Sequence, residues 1–370
     1  METVNGDTGT NPGKTEIAEI SKQGYLLLKQ NKNQEARGLF LRILEVEPEN
    51  NYALVGLGDS ERKQGRYTEA VEFYRQCLKI YPDNNYALFG LADSYRALKM
   101  QDKAIEAWEQ YLTHDSRNIS VITRVADAYR KFENFEKSQE FYLKALEIEP
   151  DNSYALIGLG HLHYDFKDYE DALRYWKRME EKTRNNVDIR VLTAIGNCYR
   201  KLKQFDKGLH YFEQALKMED KNFYALFGMG DCYRGLNRQN KSIEYWQRIL
   251  ELYPQNKEIL TRMGDAYRNS GALDRAVSYY ERALDFGFDE YALLGLARIE
   301  RAQGKVDNAL ARINRLIGAN PQNPRFYLEL ADSYVKMNNP RKAKEALKNA
   351  QRAGAWNPAV GELLDKISAR

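Results

Sequence analysis

Hydrophobic and small residues recur along this chain at helical spacing, in pairs of short stretches separated by polar breaks. Within residues 51–84, Leu54, Leu57 and Gly58 follow an i, i+3, i+4 spacing, and the spacing returns after a polar break in residues 70–78. Such a spacing predicts two amphipathic helices joined by a short turn. No stretch of the sequence alternates with the period of two that strands require. The pattern therefore predicts an all-α fold built from helix pairs.

A period of 34 residues relates these helix pairs, and ten copies follow one another along the chain. With each copy numbered from 1 to 34, position 8 is always small: Gly24, Gly58, Ala92, Ala126, Gly160, Gly196, Gly230, Gly264, Ala297 and Ala331. Position 20 is also always small: Ala36, Ala70, Ala104, Ser138, Ala172, Gly208, Ser242, Ala276, Ala309 and Ala343. These copies use nearly the whole chain, which leaves no room for a separate catalytic domain.

In these residues the chain resembles the tetratricopeptide repeat family over residues 17–357. The resemblance implies a right-handed α-solenoid superhelix, in which positions 8 and 20 are the points where the two helices of a repeat cross closely. It also implies that the first helices line a concave groove where partner segments bind. The predicted repeats are residues 17–50, 51–84, 85–118, 119–152, 153–188, 189–222, 223–256, 257–289, 290–323 and 324–357.

The two ends of the chain and two connections depart from the repeat. Residues 1–16 are polar and are predicted to form a disordered tail, whereas residues 358–370 are predicted to form a helix that caps the last repeat. The repeat at 153–188 has two extra residues near Asn186, and the repeat at 257–289 is one residue short near Gly287. We expect these differences to be absorbed in the connecting turns.

Charge and cysteine content narrow the functional classes. The chain has 56 basic and 53 acidic residues, a net charge of +3, which argues against a nucleic-acid groove. No apolar run is long enough for a membrane span, and the first residues do not form a signal peptide. Cys77, Cys198 and Cys232 have no zinc-type spacing. We expect a cytoplasmic protein with reduced, buried thiols.

Tyrosine occupies position 2 of five repeats: Tyr52, Tyr86, Tyr154, Tyr224 and Tyr291. In each case glycine follows four residues later, at position 6: Gly56, Gly90, Gly158, Gly228 and Gly295. Glycine within a helix costs about 0.5–1 kcal/mol relative to alanine, so a reason for it is expected. Either the tyrosine ring packs on the bare backbone, or the gap admits a ligand.

An aspartate and an arginine three residues apart recur on the face of the first helices that carries the position-2 tyrosines. Position 9 is Asp59, Asp93, Asp127, Asp231, Asp265 and Asp332, and position 12 includes Arg62, Arg96, Arg130, Arg200, Arg234 and Arg268. Position 6 adds Arg124 and Arg262. These residues could form stabilising ion pairs within and between repeats. They could equally form a polar track that binds a partner, and the two interpretations are compatible.

A longer period of about 68 residues is superimposed from residue 85 to 289. Repeats without the position-2 tyrosine carry Tyr142, Phe212 and Tyr280 at position 24, and the repeats between them carry Trp108, Trp176 and Trp246. The tryptophans are predicted to be core residues. The alternation fits either an extended partner with a matching period or the history of duplication.

One known use of this family is excluded by its residues. Members that bind the carboxylate tail of cytosolic chaperones use lysine at position 5 and asparagine at position 9. Here position 5 is Val55, Phe89, Thr123, Ile157, Thr193 and Phe227, and position 9 is mostly aspartate. The sequence therefore argues against a chaperone tail, and the aspartates favour a neutral or basic partner over an acidic one.

No arrangement of catalytic, cofactor-binding or metal-binding residues is recognised. His161 and His163 lie on different sides of one helix, so a structural role is expected for both. The leading prediction is a non-enzymatic scaffold that binds a protein segment in the groove. The alternatives are a structural subunit that contacts partners through its outer face or edges, and a module that binds a regulatory small ligand or a nucleic acid.

Overall fold

The computed structural model describes residues 12–183 and 186–368, and in these ranges every regular element is an α-helix. The helices are α1 Pro12–Lys29, α2 Asn33–Val46, α3 Asn51–Lys63, α4 Tyr67–Ile80, α5 Asn85–Ala97, α6 Gln101–His114, α7 Ile119–Lys131, α8 Phe135–Ile148, α9 Ser153–Asp165, α10 Tyr169–Lys182, α11 Ile189–Lys201, α12 Phe205–Met218, α13 Phe223–Gly235, α14 Gln239–Leu252, α15 Lys257–Asn269, α16 Leu273–Asp285, α17 Glu290–Ala302, α18 Val306–Ala319, α19 Pro324–Lys336, α20 Pro340–Arg352 and α21 Pro358–Ser368. The all-α prediction is confirmed. Odd-numbered helices up to α19 are the first helices of repeats, and even-numbered helices are the second.

The start of α1 corrects one expectation. The sequence predicts residues 12–16 to belong to the polar tail, but they are helical. Ile17 and Ile20 pack on the buried cluster around Phe40 and extend the helix toward the N-terminus. Proline is tolerated as the first residue of a helix, since its missing N–H would have no partner there. Residues 1–11 lie outside the described ranges.

Asparagine or aspartate at the last position of a repeat caps the next first helix. The side chain of Asn50 accepts a hydrogen bond from the backbone N–H of Ala53, and Asn84 does the same for Ala87. Equivalent caps come from Asn118, Asn152, Asp188, Asn222, Asn256, Asp289 and Asn323. Each cap satisfies an N–H group that the helix itself leaves unpaired, so the repeat boundary is encoded locally.

The turn between the two helices of a repeat has one fixed conformation. Position 15 has a positive φ in every repeat, and seven of these residues are not glycine: Asn31, Lys99, Glu133, Lys167, Lys203, Asn237 and Asn338. A left-handed residue at this point ends the first helix and redirects the chain. The turn therefore depends on backbone geometry that most side chains disfavour.

The chain divides into two compact units at Lys182 and Thr183. The predicted two-residue insertion lies at this division, and residues 184–185 are outside the described ranges. Within each unit, every helix packs on the next one in sequence. The one-residue deletion is accommodated by α16, which ends at Asp285, and by Gly287, which has φ of +108°.

Helix α21 covers the end of the second unit, as the sequence predicted. Val360 is fully buried, and Leu363, Leu364 and Ile367 pack against the cluster that contains Leu347. These side chains cover apolar surface on α19 and α20.

Candidate functional site

The candidate site is the first-helix face, defined here as positions 2, 5, 6, 9, 12 and 13 of the first helices. The five tyrosines at position 2 project from this face into solvent. Their exposed fractions are 62% for Tyr52, 80% for Tyr86, 78% for Tyr154, 67% for Tyr224 and 62% for Tyr291. Their rings therefore remain available for contact with another molecule.

The glycines beneath these tyrosines have a cause that neither sequence interpretation included. A β-carbon on Gly90 would lie 2.3 Å from Cζ of Tyr74, the position-24 residue of the preceding repeat. A β-carbon on Gly56 would lie 2.4 Å from Phe40 in the same way. Rings of Tyr142, Phe212 and Tyr280 fill the same space at the other three glycines. The glycines thus admit a core ring from the preceding repeat, and the tyrosines are left exposed.

This contact gives the 68-residue period a physical basis. First helices with glycine at position 6 (α3, α5, α9, α13 and α17) lie close to the first helix of the preceding repeat. Within the described residues, α7 and α15 pack less closely on α5 and α13. At these two wider helix pairs, the position-24 residue of the preceding repeat is a tryptophan, and position 6 of the following first helix is Arg124 or Arg262. The alternation therefore separates close helix contacts from wider ones that hold an arginine.

The tryptophans are core residues, as predicted. Trp108, Trp176 and Trp246 are at most 2% exposed. The rings of Trp176 and Trp246 fill the space over Gly160 and Gly230 in their own repeats. Among the described residues, none of the three indole N–H groups has a hydrogen-bond partner.

The predicted ion pairs form within single first helices. Arginine and aspartate lie 2.9 Å apart for Arg62 and Asp59, and 2.8 Å apart for Arg130 and Asp127. The pairs Arg96–Asp93, Arg234–Asp231 and Arg268–Asp265 lie at 3.6, 3.2 and 3.4 Å. Position 12 therefore pairs with position 9 of its own helix in these repeats, an arrangement that both interpretations of the pattern allow.

Asp93 is the centre of the first arginine cluster, which also contains Arg62, Arg96 and Arg124. Its carboxylate is 9% exposed and lies 2.8 Å from Arg124 of the next repeat and 3.9 Å from Arg62 of the preceding one. The guanidinium of Arg124 also lies 5.0 Å from the ring centroid of Phe89. Arginines from three consecutive repeats thus surround one buried carboxylate.

Asp231 is the centre of an equivalent cluster in the second unit, formed with Arg200, Arg234 and Arg262. Its carboxylate is 2% exposed and lies 2.7 Å from Arg200 and 2.6 Å from Arg262. The guanidinium of Arg262 lies 4.7 Å from the ring centroid of Phe227. Phenylalanine at position 5, aspartate at 9 and arginine at 12 are common to both clusters, as is arginine at position 6 of the next repeat.

Tyrosine at position 24 extends the ion pairs into the core in two repeats. The hydroxyl of Tyr74 donates to Asp59 at 2.7 Å and accepts from Arg62 at 3.2 Å. Tyr280 donates to Asp265 at 2.8 Å in the same arrangement. Burial, reinforced by the neighbouring Asp265 carboxylate, raises the pKa of Tyr280 well above its usual range. These hydroxyls remain protonated donors, so Asp59 and Asp265 serve the architecture as well as the surface.

The last repeat pair reverses the arrangement of charges. Arg298 takes position 9, and the carboxylate comes from Glu329 at position 6 of the next repeat. Glu329 is buried and pairs with Arg298 and, at 2.9 Å, with Arg301. Glu329, Arg298 and Arg301 thus occupy the place that corresponds to the arginine clusters around Asp93 and Asp231. The sequence pattern had not indicated this arrangement.

A cavity of about 590 Å³ opens on the first-helix face of the first unit, among α5, α7 and α9. Arg96, Arg124, Arg130 and Lys131 line it together with one acidic residue, Asp127. Its remaining lining includes Tyr154, His161 and Trp108. The wider spacing of α5 and α7 thus leaves a predominantly basic recess beside the Asp93 cluster.

His161, His163 and the three cysteines are packed against neighbouring side chains. His163 is 2% exposed, and its Nδ1 lies 2.9 Å from Asp168, with Asp171 nearby, a three-residue grouping that sequence spacing had not indicated. The His161 ring packs edge-on against Trp176. The three cysteines are buried and free, in agreement with the sequence prediction.

Comparison with known proteins agrees with the repeat pattern. Tetratricopeptide repeat models match residues 21–85 and 261–324, 61–123 and 300–367, 119–152, 189–222, and 224–256. None of the proteins of curated function matches the sequence significantly. No helix in the described ranges is long and apolar enough to cross a membrane.

One of the similar solved structures supports the fold. A tetratricopeptide repeat protein from Parabacteroides merdae ATCC 43184 is 16% identical with a TM-score of 0.51, and the match covers 71% of this chain and 99% of that chain. A crystal structure of MamA is 21% identical and covers 47% of this chain and 94% of that chain, with a TM-score of 0.43. At 16% identity, the likeness to the Parabacteroides merdae protein concerns architecture alone.

Proposed function

Because the chain belongs to the tetratricopeptide repeat family, we propose that it is a non-enzymatic scaffold that binds a protein segment along its first-helix face. The first helices would form the concave groove of the solenoid, with the position-2 tyrosines as the main contact residues. Within the described residues, every helix belongs to a repeat or, in the case of α21, packs on the last one.

The exposure of the five tyrosines is the observation that carries this proposal. Large aromatic side chains left in water are costly to solvate, and tyrosine provides contact area at a low cost in side-chain entropy. The packing beneath them supports the same conclusion, since Tyr86 and Tyr224 stand over glycines whose space is already filled by core rings. The tyrosines therefore contribute little to the core, and a binding role accounts for their recurrence.

The ion pairs alone do not distinguish a binding scaffold from a structural subunit. Asp59 and Asp265 are satisfied within their own repeats, which a purely architectural role would also require. A subunit that contacts partners through its outer face would keep these pairs but would have no use for exposed tyrosines on the first helices. The tyrosines are therefore the residues to change.

The proposal is tested by affinity capture from a lysate of the native organism, with the wild-type protein and two variants. The first variant replaces the five position-2 tyrosines with alanine. The second is a matched control that replaces exposed apolar residues elsewhere with alanine: Val46, Tyr81, Phe132, Met218 and Tyr253. Thermal melts establish that each variant remains folded.

We expect the wild type and the control to capture the same protein, and a folded tyrosine variant to lose it. Equal capture by all three would contradict groove binding and would favour the outer face. Loss in the control alone would place the contact at the edges of the repeats.

A further inference from the structure

Two of the aspartates that the sequence places on the first-helix face are buried in the structure. Asp93 and Asp231 are buried beneath arginines, so a partner would meet guanidinium groups at these two points. The expectation of a neutral or basic partner assumed that these aspartates face the groove. Burial removes that premise at both clusters.

Each cluster has more hydrogen-bond donors than its carboxylates can accept. Arg62 has a second acidic partner in Asp59, and Arg262 has one in Glu258. Even with these included, three guanidinium groups face two carboxylates in each cluster. A guanidinium carries five N–H donors and a carboxylate has about four acceptor sites, so N–H groups that these carboxylates do not bind remain for water or a ligand.

The most accessible arginine is the same in both clusters. The side chains of Arg96 and Arg234, at position 12, are 45% and 47% exposed. Each lies ten residues after an exposed tyrosine on the same helix, Tyr86 or Tyr224. On each helix the aspartate lies seven residues, about two helical turns, after the tyrosine, and the arginine follows three residues later. The tyrosine, aspartate and arginine therefore lie on the same side of the helix. Each cluster thus combines a cation with aromatic contact area.

The arginine from the next repeat is held in place before any ligand binds. Arg124 and Arg262 lie against the rings of Phe89 and Phe227, and each is paired with a buried carboxylate. Stacking and ion pairing fix a planar guanidinium that suits bidentate recognition of a carboxylate. Less side-chain entropy is then lost when a ligand binds.

The recess beside the Asp93 cluster has the same electrostatic character. It is lined by four basic side chains and one acidic one, Asp127, which is already paired with Arg130 and Lys131. Trp108 adds a buried indole N–H with no partner among the described residues. Gln101, which also lines the recess, adds a buried carbonyl oxygen with no partner among the described residues. Positive charges therefore outnumber negative ones in a space large enough for a side chain.

We propose that the partner segment is acidic, and that its side-chain carboxylates bind the arginine clusters around Asp93 and Asp231, with Arg96 and Arg234 making direct contacts. This inference rests on the proposed function and specifies the chemistry of its partner. A continuous polyanion such as a nucleic acid fits less well, because Asp127 and Asp265 remain 39% and 41% exposed on the same face. Separated carboxylates can avoid these positions.

The test measures binding of a rhodamine-labelled, C-terminally amidated peptide to the full chain by fluorescence anisotropy. In this peptide, called oligoglutamate below, single glutamates alternate with glycine or serine, so that its carboxylates are separated. Amidation removes the terminal carboxylate, so binding reports on side chains. An oligolysine peptide, an oligoglutamate peptide with a free C-terminus and a single-stranded oligonucleotide are measured in parallel. We expect oligoglutamate to bind best, with an affinity that falls as salt is added and does not depend on the free terminus.

Two double variants locate the contact. Arg96→Gln with Arg234→Gln removes the proposed contacts, and Arg75→Gln with Arg341→Gln removes the same charge from exposed arginines on second helices. We expect the first pair to weaken oligoglutamate binding by about tenfold or more and the second to change it little. Should the first pair lower the melting temperature, Arg96→Lys with Arg234→Lys keeps the charge and is expected to weaken binding less.

Tighter binding of oligolysine or of the oligonucleotide would overturn the proposal, as would equal weakening by the two glutamine variants. A requirement for the free C-terminus would also overturn it, because the terminal carboxylate would then be the ligand. Failure here with tyrosine-dependent capture intact would reject only the acidic partner. Loss of tyrosine dependence in the capture experiment would reject the proposed function itself.

Discussion

The ring of Phe212 occupies the space that any side chain at residue 228 would need: a β-carbon on Gly228 would lie 2.2 Å from its Cζ. The ring belongs to the second helix of one repeat and the glycine to the first helix of the next. This contact is repeated at the other position-6 glycines and brings consecutive first helices together. It leaves Tyr224 above it exposed to solvent.

Gly228→Ala is expected to destabilise the protein by about 1–3 kcal/mol, because the added methyl group overpacks a filled space. The matched control is Gly38→Ala, inside α2, where a β-carbon would meet nothing within 4 Å. That change should stabilise the chain by about 0.5–1 kcal/mol through helix propensity. Urea denaturation followed by circular dichroism measures both, and equal effects of the two changes would contradict the packing described here.

Glu61→Gln is expected to destabilise the protein at pH 7 by about 1–3 kcal/mol, because it removes a buried acceptor of charged hydrogen bonds. Burial alone would raise the pKa of Glu61, but hydrogen bonds from Arg66 and Arg37 outweigh it and lower the pKa. A lowered pKa means that this stabilisation is present above the unfolded pKa, about 4.3, and is lost as pH falls through the folded pKa. The difference in melting temperature between wild type and variant should therefore shrink below pH 4. A difference that stays constant with pH would show that the charge is not responsible.

The three cysteines should resist alkylation while the protein is folded. Burial raises the pKa of Cys77 to about 11 and that of Cys198 to about 12. Since the thiolate is the reactive species, iodoacetamide at pH 8 should modify them slowly in the native protein and rapidly after denaturation. Mass spectrometry over time measures both rates. Fast modification of one thiol in the folded state would contradict its burial.

Glu133→Gly should stabilise the protein by about 1 kcal/mol, since residue 133 has a left-handed conformation that costs a side chain roughly that amount. Its φ is +56° and its side chain is exposed. Glu147→Gly, at an exposed position within α8, is the control and should destabilise by about 0.5–1 kcal/mol. Melting temperatures give the comparison. A lower melting temperature for Glu133→Gly would mean that the glutamate has an unrecognised stabilising contact.

Much of the fold could be predicted because its determinants lie close together in sequence. Caps such as Asn84 act three residues away, and the apolar spacing within each helix repeats every turn. The small residues at positions 8 and 20 also mark the helix crossings within a single repeat. The same local signals recur in the ten repeats, so each copy supports the helix assignment in the others.

The role of the position-6 glycines could not be predicted, because it depends on contacts between repeats. Gly56 is explained by Phe40, which lies sixteen residues earlier on another helix, rather than by Tyr52 on its own helix. A signal was present, since glycine at position 6 follows phenylalanine or tyrosine at position 24 and arginine follows Trp108 and Trp246. Its meaning required knowledge of which side chains meet.

The burial of Asp93 and Asp231 was missed for a related reason. Helical spacing assigned both to the binding face, but it could not show that arginines from three consecutive repeats converge on each carboxylate. The sequence therefore placed both aspartates on the first-helix face but could not show that their carboxylates are buried there.

The most direct test of the central claim, that a partner lies along the first-helix face, is photo-crosslinking in the native cell. A benzophenone amino acid replaces Tyr86 or Tyr224 on the first helices, and replaces Leu143, an exposed residue on the second helix α8, as the control. We predict that Tyr86 and Tyr224 positions crosslink to the same partner and that the Leu143 position does not. Crosslinking from Leu143 alone would contradict the claim and would place the partner on the outer surface.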